Sequence, residues 1–356
     1  MIKELNIKGF RLFQDLKLKN LNFINIFGGK NNSGKTSILE AILLFYDRGN
    51  PEVIVRQLSL RNINSIALNS DSLWASIFNR YDLDSIIEMT VKDDNVKDKV
   101  VIKHNANYFK QITSSIPIPE QPTHIKTDQK AFVTESLDFK YYSTDKEIGS
   151  THLIIDKVSL GMQIDNLTKL SKKIIFIGSY TSRNPNEDAN KFGQLDVTGK
   201  IDDIVEILKI IEPRLKSLTS VPQGNISLIH GDIGLGRKIP IQYMGEGTSR
   251  LLSIILSIAN NKDGMVLIDE IENGFHYSIM SKVWKVIYQT SKKYNCQIMV
   301  TTHSYEALKY LAEEINDENK DSFTYIRLDS INENIVPKLY SAEMLASAIE
   351  HEWEVR

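Results

Sequence analysis

Short apolar runs, alternating or continuous and each closed by polar residues, organise this chain into strands, loops and helices. Residues 2–10 (IKELNIKGF) and 14–28 (QDLKLKNLNFINIFG) carry strand patterning, and the second run ends in a glycine-rich loop. From Ser37 to Tyr46 apolar residues go almost all the way round a helical wheel, which predicts a helix buried on every side. Residues 50–82 read as loop and helix. Residues 84–93 (DSIIEMTVKD) and 98–112 (DKVVIKHNANYFKQI) predict two strands of an antiparallel sheet.

The pattern breaks at PIPEQP, where Pro117, Pro119 and Pro122 introduce a polar stretch with no sustained period to about Gly149. An inserted, mobile or partner-facing segment over 114–170 is expected there. KKIIFIGS at 172–179 then predicts a central parallel strand, and 200–213 a helix. MVLIDE (265–270) and CQIMVTTHS (296–304) predict buried strands on either side of a helix over 278–293, a βαβ rhythm that implies a parallel α/β sheet. The expected organisation is one head of two lobes, 1–113 and 171–356, with 114–170 inserted between them.

Composition narrows the function classes only a little. The 356 residues include 43 Lys plus Arg against 45 Asp plus Glu, so a net charge of -2 gives no global basic field for nucleic acid. The lone Cys296 excludes a disulfide frame and a cysteine metal cluster, and its place in an apolar run predicts a buried, inert thiol. With no signal-like start and no apolar run near ~18 residues, a soluble, cytoplasmic protein without a membrane partner is expected.

The chemistry concentrates in four places. Gly29–Thr36 (GKNNSGKT) matches GxxxxGK[ST] between a strand and a helix. Its glycines let the backbone wrap phosphates, the amides at the helix start face the anion, and Lys35 reaches the β- and γ-phosphates. Lys30, Asn31, Asn32, Ser33, Gly34 and the following Ser37 complete this candidate nucleotide-binding set, with Arg11 of KGFRLF a further candidate. Thr36 is expected to bind Mg2+ through its hydroxyl, with Asp269 at the end of MVLID as the second ligand. Glu270 beside it is placed to polarise water for attack on the γ-phosphate, and His303 at the next strand end to donate to that phosphate.

A fourth element, Gly245, Glu246, Gly247 and Thr248, opens an apolar helix in YMGEGTSRLLSIILSIA. A glycine-bearing helix N-terminus is a second phosphate device, which Ser249 and Arg250 could assist. Two such ends do not easily reach one triphosphate from the same side of one chain, so this one is expected to serve the nucleotide of a second subunit.

The order of these motifs resembles the ABC-type ATPase heads of the SMC, RecF and OLD (overcoming lysogenization defect) group across most of the chain. The resemblance implies an ABC-ATPase head with a P-loop NTPase core, an N-terminal antiparallel sheet and an inserted helical or irregular lobe. Gly29–Thr36 would be Walker A, Gly245–Thr248 the signature loop, Asp269 and Glu270 Walker B, and His303 the switch histidine. GEGTSRLL, LIDEIENGFH and TTHSYEAL look like segments of OLD-like ATPases, and MLASAIEHEWEVR like the tail of stand-alone members. MGEGT departs from LSGGQ by putting Gly245 where the signature serine stands. The Q-loop glutamine stays unassigned, because Gln111 and Gln163 lie in poorly patterned sequence and Gln194 in a polar turn.

The resemblance thus implies a Mg2+-dependent ATPase that sandwiches ATP in a homodimer, with higher oligomers also open. It would gate a separately encoded effector, a TOPRIM-like nuclease, in defence against phage or mobile DNA, and DNA contact is open either directly or through the effector. No nuclease is expected in this polypeptide, since the residues after His303 show no apolar strand ending in paired aspartates. The alternatives are a RecF-like ATPase that binds DNA itself and a non-hydrolysing ATP sensor or scaffold. NNKDG at 260–264 has the wrong spacing for a guanine-reading motif.

Overall fold

A computed structural model describes residues 1–47, 70–93, 96–110, 132–156, 159–165, 172–179 and 184–355. Strands β1 (Glu4–Phe10), β2 (Phe13–Leu18) and β3 (Ile24–Gly28) lead through the glycine loop into α1 (Lys35–Tyr46). A short helical turn, Ser70–Leu73, precedes β4 (Ile86–Lys92), β5 (Lys97–Lys110), β6 (Phe132–Ser143), β7 (Lys146–Asp156) and β8 (Ser159–Asp165). Next come β9 (Ile174–Ile177), α2 (Pro185–Val197), α3 (Ile201–Leu208), β10 (Ser217–Gln223), β11 (Ile226–Asp232) and β12 (Ile239–Pro240). The chain continues with α4 (Glu246–Ala259), β13 (Met265–Ile268), α5 (Met280–Tyr294), β14 (Gln297–Thr301) and α6 (Tyr305–Glu314). A hairpin of β15 (Phe323–Ile331) and β16 (Asn334–Tyr340) and the helix α7 (Ala342–Glu350) follow.

The six-stranded central sheet has the order β16-β15-β3-β14-β13-β9, parallel throughout except for β16. Its strands read as continuous apolar runs because both faces are covered. Ile24, Ile26, Val266, Ile268, Ile298 and Val300 face a core shared with helices α2 to α7. The alternate residues Phe27, Met265, Leu267, Met299, Ile326 and Leu328 face a second core. That second core also takes in α1 and the antiparallel sheet, ordered β2-β1-β4-β5-β6-β7-β8. Helix α1 is buried from Ser37 to Phe45, as its all-round apolar pattern predicts.

Two expectations need correction. The described part of 114–170 is strand, not irregular: β6 to β8 extend the N-terminal sheet to seven strands. In β6, Leu137, Phe139 and Tyr141 are buried in alternation with Asp138, Lys140 and Tyr142, a period of two masked by the polar residues beside it. Residues 111–131, including PIPEQP, lie outside the described set, as do residues 48–69 of the predicted loop and helix. The strand β9 lies at the edge of the described sheet beside β13, not at its centre, and is half-buried. The second half also inserts a small antiparallel sheet, β10-β11-β12, between α3 and α4.

The extended sheet carries a polar cluster with a pH consequence. His152 Nδ1 lies 2.7 Å from Asp138 Oδ1, and its Nε2 3.4 Å from Asp165 Oδ2. The Asp138 hydrogen bond raises the His152 pKa above its ordinary value despite the opposing effect of burial. Burial alone would push Asp138 up, but hydrogen bonds from His152 and Ser136 outweigh it and hold its carboxyl low. The His152 contribution is therefore full below about pH 6.5 and lost as pH rises through the raised folded value. The Asp138 contribution is full above about pH 4 and lost as pH falls through its depressed value. His152→Ala is expected to cost on the order of 1–2 kcal/mol at pH 5–6 and less at pH 9, read as the difference in thermal stability from the unsubstituted protein.

Candidate active site

The loop after β3 is built for close backbone approach. A Cβ on Gly29 (φ 132°) would meet the Leu328 carbonyl oxygen at 2.5 Å, and one on Gly34 (φ 87°) the Phe13 ring at 2.8 Å. Both glycines hold left-handed backbone between β15 and β2, which fixes the loop's curvature. Asn32 is also left-handed (φ 60°), a conformation asparagine tolerates. Lys35 opens α1 and folds its ammonium back into the loop, donating to the carbonyls of Gly29 (2.8 Å) and Lys30 (2.9 Å).

Asp269 follows β13 and is buried. Its Oδ1 accepts from Thr36 Oγ1 (3.0 Å) and Thr301 Oγ1 (2.6 Å), and its Oδ2 from Ser179 Oγ (3.4 Å). Burial pushes its carboxyl up, and the two threonine hydroxyls pull it back. This set of hard oxygens around one buried carboxylate suits Mg2+, which the Thr36 hydroxyl and Asp269 would hold. Burial likewise lowers the Lys35 pKa, opposed by the charges of Glu272, then Glu270 and Asp269.

Glu270 sits in left-handed backbone (φ 49°), uncommon for a residue with a Cβ and fixed here from several directions. Its N–H donates to Thr301 Oγ1 (2.8 Å), its carbonyl accepts from Arg250 Nη2 (2.9 Å), and its Oε2 accepts from Asn273 Nδ2 (2.7 Å). His303 Nδ1 lies 3.8 Å from Glu270 Oε1 and 3.0 Å from Glu272 Oε1. Residues Asn31 to Ser37, with Leu12, Glu270 and His303, line an open cavity of about 600 Å³. The structure thus brings together Lys35, Thr36, Asp269, Glu270 and His303 from the ends of β3, β13 and β14, the edge where parallel sheets gather their sites.

It does not bring in the rest. Arg11 is turned inward, its guanidinium 3.3 Å from the fully buried Glu40 of α1, and the exposed Leu12 lines the cavity in its place. Gly245, Glu246, Gly247 and Thr248 do not line the cavity among the described residues. Gly245 (φ 113°) caps α4 with open space around it, and Gly247 packs against Gly274 and Phe275. Arg250, expected to assist a phosphate, is buried and donates to the carbonyls of Asp269 and Glu270 within its own chain. Gln163, on β8, accepts from the Tyr108 hydroxyl of β5, and Gln194 lies within α2, not a polar turn, while Gln111 is outside the described residues. Cys296 is buried just before β14, its thiol pushed up to about 12 by burial.

Sequence reasoning missed Thr301, Glu272 and Asn273. The signal for the last two was their place one turn after the paired carboxylates; for Thr301 it was the doubled threonine at a strand end.

A phosphate loop with its inward lysine, a buried strand-end aspartate and an adjacent glutamate at one sheet edge define an ATPase. The sequence matches the AAA ATPase domain over residues 1–307, and the chain belongs to that family. A Helicobacter pylori protein described as an ATP/GTP phosphatase is 24% identical, over 99% of this chain and 99% of its own length. The DNA double-strand break repair Rad50 ATPase of Archaeoglobus fulgidus is 44% identical over 66 residues, 18% of this chain and 7% of that one. The solved SMC head bound to the C-winged helix domain of ScpA shares the fold, with a TM-score of 0.50 and 15% identity over 98% of this chain and 99% of that one.

Proposed function

We propose that this chain is a Mg2+-dependent ATPase that closes its site only as a dimer, with Gly245–Thr248 of one copy covering the phosphate loop of the other. The observation that carries this is the cavity itself: it holds Lys35, Thr36, Glu270 and His303, is open, and lacks the second glycine loop. Lys35 would neutralise the β- and γ-phosphates in place of the carbonyls it now contacts. Bound through Thr36 and Asp269, Mg2+ would supply charge neutralisation across the phosphates. Glu270, held by Asn273, would take a proton from the attacking water as the bond from the γ-phosphorus to its bridging oxygen breaks. His303 would face the departing γ-phosphoryl group.

Engagement of two heads would gate an effector on a separate polypeptide, a TOPRIM-like metal nuclease, in defence against phage or mobile DNA. The resemblance to OLD-like ATPases supports this reading. Purification of the native complex with ATP and Mg2+ present tests this. Recovery of a nuclease chain is expected, and a dimer without any companion contradicts the gating.

One observation favours a second reading, direct DNA binding. Lys17, Lys19, Lys92 and Lys97 line a groove of about 350 Å³ on the N-terminal sheet. Lys17, Lys92 and Lys97 each have a carboxylate within 4 Å, which blunts that charge. Strong, salt-sensitive binding of DNA by the purified chain alone would favour this reading.

A further inference from the structure

Glu272 is absent from the roles assigned so far, yet its side chain is mostly buried and lies closer to the His303 ring, at 3.0 Å, than Glu270 does at 3.8 Å. A single oxygen, Oε1, accepts the backbone N–H of His303 at 2.8 Å and lies 3.0 Å from the ring Nδ1. A carboxylate oxygen has two lone pairs, enough for both contacts. The other oxygen, Oε2, is buried without a hydrogen-bond partner among the described residues. The two contacts to His303 are therefore what orient this carboxylate, and reciprocally it grips the histidine at two points.

We infer that Glu272 is a positioning residue: it keeps a proton on Nδ1 of His303 and sets the ring so that Nε2 is the nitrogen presented to the cavity. A histidine whose one nitrogen is committed to a carboxylate has its other nitrogen's role fixed, as in carboxylate-histidine pairs elsewhere. Half-exposed, His303 would otherwise rotate and exchange tautomers freely. Glu270 Oε1, at 3.8 Å, is too far to hold that proton. The inference rests on the proposal that His303 faces the γ-phosphoryl group.

Glu272→Gln separates position from charge. The backbone N–H of His303 needs an acceptor, which pins the amide oxygen where Oε1 now lies, so the ring keeps its partner while the negative charge near Lys35 is removed. Glu272→Ala removes both. The readout is the 15N shift of His303 Nδ1 in histidine-labelled protein at about pH 8, above the ordinary imidazole range, with the signal assigned from His303→Gln. A protonated-type Nδ1 is expected in the unsubstituted protein and in Glu272→Gln, and an unprotonated-type Nδ1 in Glu272→Ala. In steady-state ATP hydrolysis, Glu272→Ala is expected to lower kcat by about 10- to 100-fold with KM within about threefold, and Glu272→Gln to restore most of it.

A protonated-type Nδ1 in Glu272→Ala, or its loss in a folded Glu272→Gln, overturns the inference. Should Glu272→Ala fail to fold, the Gln variant still decides. If the Nδ1 signal changes as expected but His303→Ala hydrolyses ATP at the unsubstituted rate, the positioning role stands and the part proposed for His303 in hydrolysis falls.

Discussion

Lys35→Ala is expected to abolish measurable ATP binding, a loss on the order of 100-fold or more in affinity, because its ammonium is folded into the loop that the phosphates must fill. Its position costs something in the free protein: burial disfavours the charge, and only two carbonyls and three nearby carboxylates offset that. A triphosphate would supply a far stronger partner, so the stored cost is relieved on binding. The substitution should spare the fold. Lys35 stands at the first position of α1, where alanine is a good helix former, and none of the apolar residues that bury α1 is touched. Titration calorimetry with ATP and Mg2+ checks this, and affinity within threefold of the unsubstituted protein would remove the loop from the account.

Glu270→Gln is expected to separate binding from turnover. The amide keeps the shape of the side chain and can still accept from Asn273, while the left-handed backbone at 270 remains held by Thr301 and Arg250. What disappears is the base. kcat is expected to fall by about 100- to 1000-fold with nucleotide affinity intact, the range over which a positioned general base acts. An unchanged kcat would move the proton acceptor elsewhere.

The site was legible in the sequence to the extent that its chemistry is local. A strand, a glycine loop and a helix follow one another between Ile24 and Tyr46, and Asp269 and Glu270 close an apolar strand, so spacing alone located them. The grip of Glu272 on His303 joins residues 31 apart, and the Thr301 hydroxyl that serves both Asp269 and Glu270 lies on another strand, so neither leaves a mark in any window. Arg11 misled for the same reason: its partner Glu40 is 29 positions away on a helix face. In the fold, buried parallel strands lose their period, so β9 read as central although only β13 flanks it among the described residues. Strand β15 beside β3 is set by long-range pairing that patterning does not encode, whereas β6 to β8 pair with their neighbours in sequence and were hidden by polar residues that mask the period of two.

One copy of the chain is proposed to hold only part of the ATP site. Sedimentation velocity of Glu270→Gln with ATP and Mg2+ tests it most directly, since a slow enzyme keeps its nucleotide while the mass is measured. A shift from one 40.6-kDa chain to a species of twice that mass is expected on adding ATP. A mass that ATP leaves unchanged, at concentrations where calorimetry shows the site filled, would contradict it.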